Sequence, residues 1–333
     1  MNPTGPRLPL DSQADRRQTL RELHRKGWFS FWQSLGIVNL FFLIGGVSLL
    51  CWHSPIWPLV VLCWAVQAHV GHANLIAFHE ASHYLLHPWR RVNEAVGILL
   101  GSFIMTPLSV YRHVHNLHHL HLGTPNDIEM WPFVNPPTAR GWRLLAAAGE
   151  LLVGFFYTPI VFLHGVLSTP PKSSAVRRRI VGEYALCVGW WCVLLGVVAW
   201  SGQWETWVVS YLVPAMIAGN LQSLRKFTEH MGMMGDDIPS LTRTVVAPDV
   251  IGRFLSGSML HIDIHGIHHR YAKIPHYKLE EAVPHVYDAK ERATAIQPTY
   301  REAMFAMLAT LGNPRVGKQW LETAQSQPVR KAA

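Results

Sequence analysis

Apolar runs long enough to cross a lipid bilayer decide most of what this chain can fold into. Phe31 to Trp52, Ile56 to Phe78, Ile180 to Trp200 and Trp204 to Leu224 each reach the roughly 20 residues a helix needs to span the hydrocarbon core. Within hydrocarbon every backbone polar group must be satisfied inside the segment, so such runs read as helices. The expected fold is therefore all-α: a polytopic integral membrane protein with four transmembrane helices. Only 15% of the 333 residues are charged and 49% are hydrophobic, which suits a bundle carrying a polar head.

The charges then orient the spans. The first two runs are joined around His53, Ser54 and Pro55, and the last two around Ser201, Gly202 and Gln203, without a Lys or Arg in either turn. Basic residues crowd the other junctions: Arg16 to Lys26, Arg90 and Arg91, Arg140 and Arg143, Lys172 with Arg177 to Arg179, then Arg225 and Lys226. By the positive-inside rule these junctions, with both termini, are expected on the cytoplasmic side. The net charge of +8 is thereby assigned to lipid headgroups and orientation, with no nucleic acid partner. Trp28, Trp32, Trp52, Trp57, Trp200 and Trp204 fall at span ends, where indole rings favour the headgroup level. Cys51, Cys63, Cys187 and Cys192 all sit in apolar runs at spacings that suit no metal ribbon or disulfide framework. Ala95 to Tyr111 and Leu144 to Leu167 are also apolar, but the first is short and the second holds Glu150, Pro159 and His164; both are expected to be interfacial or re-entrant. After Arg270 the chain turns polar, and Tyr300, Met304, Met307, Leu308 and Leu311 repeat at helical spacing, predicting an amphipathic helix packed under the head. The first 27 residues are expected to be loosely ordered.

Twenty histidines cluster rather than scatter. HEASH places His79 and His83 at i and i+4, on one face of a helix at the end of the second run. HNLHH places His115, His118 and His119 at i, i+3 and i+4, and HGIHH repeats the pattern with His265, His268 and His269. RKFTEH adds His230 just past the fourth run. No packing need calls for imidazole pairs at repeated spacing, whereas a metal centre does. Nine histidines exceed what one tetrahedral zinc takes and fit two metals with coordination positions left open. His24, His53, His164, His276 and His285 read instead as ordinary packed or surface residues, His72 and His69 as polar packing within the bundle, and His87, His113 and His121 as neighbours of the boxes.

In these residues the chain resembles the membrane fatty acid desaturase superfamily, whose signature is H-x(3)-H, H-x-x-H-H and H-x-x-H-H separated by spans. YRHVHNLHHLHLGTPNDIE is similar to the family's second region, RKFTEHMG to the segment that supplies an extra histidine, and HGIHHRYAKIPHYKL to the third box with its tail. The resemblance runs from about Trp28 to Leu279. It implies two iron ions held by His79, His83, His115, His118, His119, His230, His265, His268 and His269, with dioxygen as co-substrate. It further implies oxidation of an acyl lipid, with electrons from a ferredoxin or a b-type cytochrome with its reductase. Asp127, Glu129, Glu229 and Asp263 become candidates to orient imidazole N–H groups. His261, four residues before His265, stands where many acyl desaturases carry asparagine and is a tenth candidate ligand. The domain plan is a cytosolic tail (1–27), a desaturase-like membrane domain (28–279) and a cytosolic helical segment (280–333).

Other readings keep a place. Carotenoid or lipid hydroxylases and ketolases share the boxes, so the product is not fixed by the motif. HEASH also satisfies H-E-x-x-H, in which Glu80 would serve a zinc protease as general base, but that leaves seven boxed histidines without a role. A haem or metal membrane carrier would place paired histidines in mid-bilayer, and here most lie at the ends of the runs.

Overall fold

The computed structural model describes residues 13–326. In chain order it holds α1 (Gln13–Leu23), α2 (Phe29–Trp52), α3 (Leu59–Ser82), α4 (Arg90–Phe103), α5 (Leu108–His121), α6 (Arg140–Ser168), α7 (Ser174–Ser201), α8 (Trp204–Trp207) and α9 (Val213–His230). A head follows, built from α10 (Ile238–Leu241), α11 (Val250–Ser258), α12 (His265–Arg270), α13 (Leu279–Val286), α14 (Ala289–Ala295), α15 (Tyr300–Leu308) and α16 (Gln319–Ser326). Among the described residues, sheet is confined to a two-residue parallel pairing of β1 (Thr244–Val245) with β2 (Ile296–Gln297). The fold is all-α, as its apolar runs require.

Four helices are long and apolar enough to cross a membrane: α2, α3, α6 and α7. Three coincide with expected spans, and the fourth differs. The run Trp204 to Leu224 folds as α8 and α9 joined through a π turn at Val208–Leu212, and α9 ends in charged residues. The expected interfacial run 144–167 instead lies within the 29-residue α6, where Lys226 forms an ion pair with Glu150 and so offsets the cost of that buried carboxylate. Yet α6 is bent at Val153 (φ −135°, ψ 34°), and both of its ends meet groups on the histidine side of the bundle. At one end Arg140 and Arg143 donate to the carbonyls of Gly312 and Pro314, each at 2.9 Å; at the other His113 Nε2 lies 2.7 Å from the Thr169 carbonyl. α4 and α5 likewise meet at 96°, taking the chain inward and back. At the far end the two uncharged turns come together, since Trp52 Nε1 donates to Glu205.

The helices pack through small residues. Gly154 in α6 faces Gly219 in α9 so closely that a side chain on either would collide with the other's backbone. That approach is available only without a Cβ, and it substitutes for a hydrophobic drive that lipid cannot supply. The outer surface is apolar, with Leu43, Leu50, Val61, Leu62, Leu186 and Val193 all more than 60% exposed; such a belt is sustainable against acyl chains and not against water. The head has its own core of Ile264, Ile267, Leu279, Val283, Val286 and Tyr287. Leu23 of α1 joins that core, so residues 13–23, expected to be loose, are helical and docked; residues 1–12 lie outside the described range. Met307, Met304 and Leu311 pack against Phe133, Phe227 and Met231 as the helical spacing predicts, while Leu308 faces outward.

Candidate metal centre

Each box occupies the end of a helix, and tertiary contacts aim those ends at one another. The last carbonyls of α3 would be orphaned where the chain turns after Ser82. Arg112 of α5 donates to the carbonyls of Ser82 (2.8 Å) and Ala81 (3.1 Å), and the Asn93 side chain donates to Ala81 as well (2.9 Å). A guanidinium at a helix C-terminus also complements the dipole. The same Arg112 pairs with Glu94 at 2.7 Å, and Arg179 bridges Glu94 to Glu183. Glu183 in turn accepts from Ser109 N and Ser109 Oγ, both at 2.7 Å, capping the start of α5. One half-buried charge network thus sets the first box against the second. For the third box the determinant is Gly266, whose missing side chain leaves room for the hydroxyls of Tyr287, Thr242 and Thr244, and whose N donates to Thr244 Oγ1 at 2.9 Å.

The result is two groups of imidazoles. His79, His83, His115, His119 and His268 form one; His118, His230, His265 and His269 form the other. Within each group the ligand-capable atoms all lie within 4.8 Å of one another. The groups adjoin, since the rings of His119 and His269 stack at 4.3 Å. All nine boxed histidines are in these groups. His261 is in neither: it has a positive φ of 52°, and its Nδ1 meets Ser256 Oγ at 3.1 Å.

The hydrogen bonds behind the rings decide which nitrogen faces inward. A carboxylate or carbonyl can only accept, so the nitrogen against it must be the N–H. His118 Nδ1 donates to Asp127 (2.8 Å), His115 Nδ1 to Glu129 (2.8 Å) and His230 Nδ1 to the Leu241 carbonyl (3.1 Å). His265 Nδ1 lies 3.5 Å from Glu229, which Arg225 grips through both oxygens. Asp127 is itself fixed by the backbone N–H groups of Gly123 and Met130. Burial alone raises the Glu129 carboxyl, but the imidazoles of His115 and His118 outweigh it and hold it well below the usual carboxylate range. Asp263 plays a different part: it accepts from Ser256 Oγ at 2.7 Å rather than from a boxed imidazole, and burial pushes it up to about 6.

Those tautomers turn the bare Nε2 atoms of His115, His118 and His230 inward, where other imidazoles crowd them. His115 Nε2 is 3.0 Å from that of His79 and 3.1 Å from that of His119; His119 and His268 are 3.2 Å apart, His230 and His265 2.8 Å, His265 and His269 3.0 Å. Two sets made wholly of inward-facing imidazole nitrogens suit a bound cation.

Beside the first group opens an apolar cavity, reaching from Phe41 and Phe103 to Phe78, Tyr111 and Gln222. Tyr111 stacks on His115 at 5.2 Å, which brings the cavity's inner end against the imidazoles.

A profile of the fatty acid desaturase family matches residues 55–300, most of the chain. The chain belongs to that family. Among its relatives, a probable fatty acid desaturase of Sorghum bicolor is 25% identical over 281 residues, covering 78% of this chain and 70% of the relative. An sn-1 acyl-lipid omega-3 desaturase (ferredoxin) of Synechocystis is 23% identical over 262 residues, covering 72% and 70%. A Delta(12) acyl-lipid conjugase (11E,13E-forming) of Impatiens balsamina is 24% identical over 261 residues, covering 68% and 64%. The chain is accordingly a membrane enzyme that modifies fatty acyl groups, with histidine clusters able to hold metal.

The remaining histidines of the chain do other work. His87 packs edge-on against Trp28 and Phe31, and its Nδ1 accepts from Trp89 N. His276 is buried and pushed down to about 3 by desolvation and then by His261. Glu80 accepts from the His276 backbone N at 3.3 Å, so the carboxylate that a protease would use as a base holds the head onto α3. Sequence reasoning did not single out Arg112, Glu94 or Glu183. Arg112 had a usable signal, lying one helical turn before His115.

Proposed function

We propose that this chain is an oxygen-dependent di-iron enzyme that introduces a double bond into a fatty acyl chain. The observation that carries the reading is the convergence of nine imidazoles, eight of them buried and His119 half-buried, into two adjoining groups at the inner end of an apolar cavity. His79, His83, His115, His119 and His268 would hold one iron, and His118, His230, His265 and His269 the other. When bound, the irons supply dioxygen activation and the two-electron oxidation that no side chain performs.

The protein's share is placement. The cavity orders a flexible acyl chain and excludes water from the carbon being oxidised. Asp127, Glu129, the Leu241 carbonyl and Glu229 fix the imidazoles before metal arrives, and such partners raise ligand basicity and affinity. Electrons come from a separate carrier; a ferredoxin, named for the Synechocystis relative, is one such donor and a b-type cytochrome another. The basic junctions put the metal centre and both termini on the cytoplasmic side, with α2, α3, α7 and 204–230 crossing the bilayer. The 4–5 helix pair and α6 enter from that side and return. The domain plan of 1–27, 28–279 and 280–333 belongs to the same reading.

Mass spectrometry of lipids from cells with and without the chain tests this directly. The reading expects an acyl product lighter by two hydrogens. A product heavier by one oxygen assigns the chain to the hydroxylases, and unchanged lipids with an active donor present reject the function.

A further inference from the structure

Among the helices of the head, α11 is inside out. Val250, Ile251 and Phe254 are 75%, 73% and 73% exposed and Leu255 is 44% exposed, while the polar Ser256 is buried and donates to Asp263. The exposed positions i, i+1, i+4 and i+5 form one apolar stripe on a helix that sits in a polar head. Its location explains this. The Ser258 hydroxyl at the end of α11 lies 2.9 Å from His69 Nε2. His69 precedes His79 by ten residues of α3, which is about 15 Å of helix toward the opposite side of the bundle. It also follows Leu59, the first residue of α3, by the same distance. Ser258 therefore sits at the level of the spans and not of the head. The neighbouring α2–α3 contact gives the same register, since Gln67 donates to the Phe41 carbonyl mid-way along α2.

We infer that α11 is a membrane-inserted arm, whose Val250, Ile251, Phe254 and Leu255 lie among lipid acyl chains in the leaflet next to the metal centre. The occupant of this face is lipid because Ser258 anchors the arm at the middle of the span α3, within three residues of the exposed Val66, and because Arg253 has a stem long enough to reach the headgroups. The arm leads straight into the third box: Ser256 fixes Asp263, and His265 follows two residues later. Lipid contact at α11 thereby holds the approach of α12 to the imidazoles. The inference depends on the chain being a membrane protein and goes beyond its acyl chemistry.

Spin labels in liposomes of phosphatidylcholine test the placement. In full-length protein with Cys51, Cys63, Cys187 and Cys192 changed to alanine, labels are attached at Phe254→Cys, at Lys290→Cys on exposed α14, and at Leu186→Cys on the outside of α7. The inference expects the Phe254 label to collide with dissolved oxygen and to lose collisions with a water-soluble nickel chelate, matching Leu186 and opposite to Lys290. Nickel access at Phe254 with Leu186 still shielded overturns the arm while leaving the membrane reading in place. Protection from both reagents places the face against protein and also overturns it. Nickel access at both Phe254 and Leu186 overturns the membrane reading along with the arm. As a second measurement, Phe254→Lys is expected to insert into liposomes but to lose bound metal and lipid oxidation together; full metal content and full turnover by that variant contradict the arm's role.

Discussion

The two imidazole groups are built to different standards. In the group of His118, His230, His265 and His269, two of four rings donate to an acceptor behind them, Asp127 and the Leu241 carbonyl, and Glu229 lies 3.5 Å from His265 Nδ1. In the group of His79, His83, His115, His119 and His268, one of five rings does so, His115 to Glu129, and Glu80 lies 4.0 Å from His79 Nδ1. The group with fewer fixed rings has one more histidine, and it is the one beside the acyl cavity. Rigidity in one group and adaptability in the other is what an enzyme needs if one metal is anchored while the other meets substrate and oxidant.

The largest effects should come from the histidines themselves. His268→Ala in one group and His118→Ala in the other are each expected to bring lipid oxidation to background with membrane insertion intact. Retained turnover in either variant would break the requirement for both groups. Next come the acceptors. Loss of an outer partner typically lowers metal affinity about 10- to 100-fold. Glu129→Gln, removing the sole acceptor of its group, should reach the upper end and drain that group first in a chelator titration. Asp127→Asn, where other partners remain, should fall at the lower end; equal effects would erase the distinction drawn here.

Arg112→Gln unties α5 from the end of α3 and should loosen chiefly the cavity-side group, which takes His79, His83, His115 and His119 from the region of that contact and only His118 of the other group. Turnover is expected to fall roughly tenfold through misplacement, with recovery in Arg112→Lys incomplete because an ammonium lacks the fork that spans two carbonyls. The smallest effect is expected at the cavity wall. Ala218→Leu, opposite Gly71, should shift chain-length preference by about 1 kcal/mol per displaced methylene and leave metal content unchanged. A fall in bound metal there would show that cavity and centre are not separable.

The site was largely legible in the sequence because a helix face is a local property: i, i+3 and i+4 spacing presents His115, His118 and His119 together whatever the rest of the chain does. Which rings would share a metal was not legible, since His119 meets His268 across 149 intervening positions. The same boundary separates Asp127, which reaches its imidazole from nine residues away, from Asp263, whose partner Ser256 was chosen by the fold of α11. Among the spans, hydropathy found α2, α3 and α7. It did not show that Lys226 would offset Glu150 or that 140–168 would fold as one long helix kinked at Val153. A nine-residue arm such as α11 is too short for periodicity to separate it from a buried turn.

Everything proposed for this chain rests on two metals occupying the two groups. Elemental analysis of protein purified in detergent, with absorption spectra of the same sample, tests that most directly. The account predicts about two irons per chain, as two adjoining sets of four and five imidazoles require, with no Soret band. A single zinc per chain, or a haem spectrum, would contradict it.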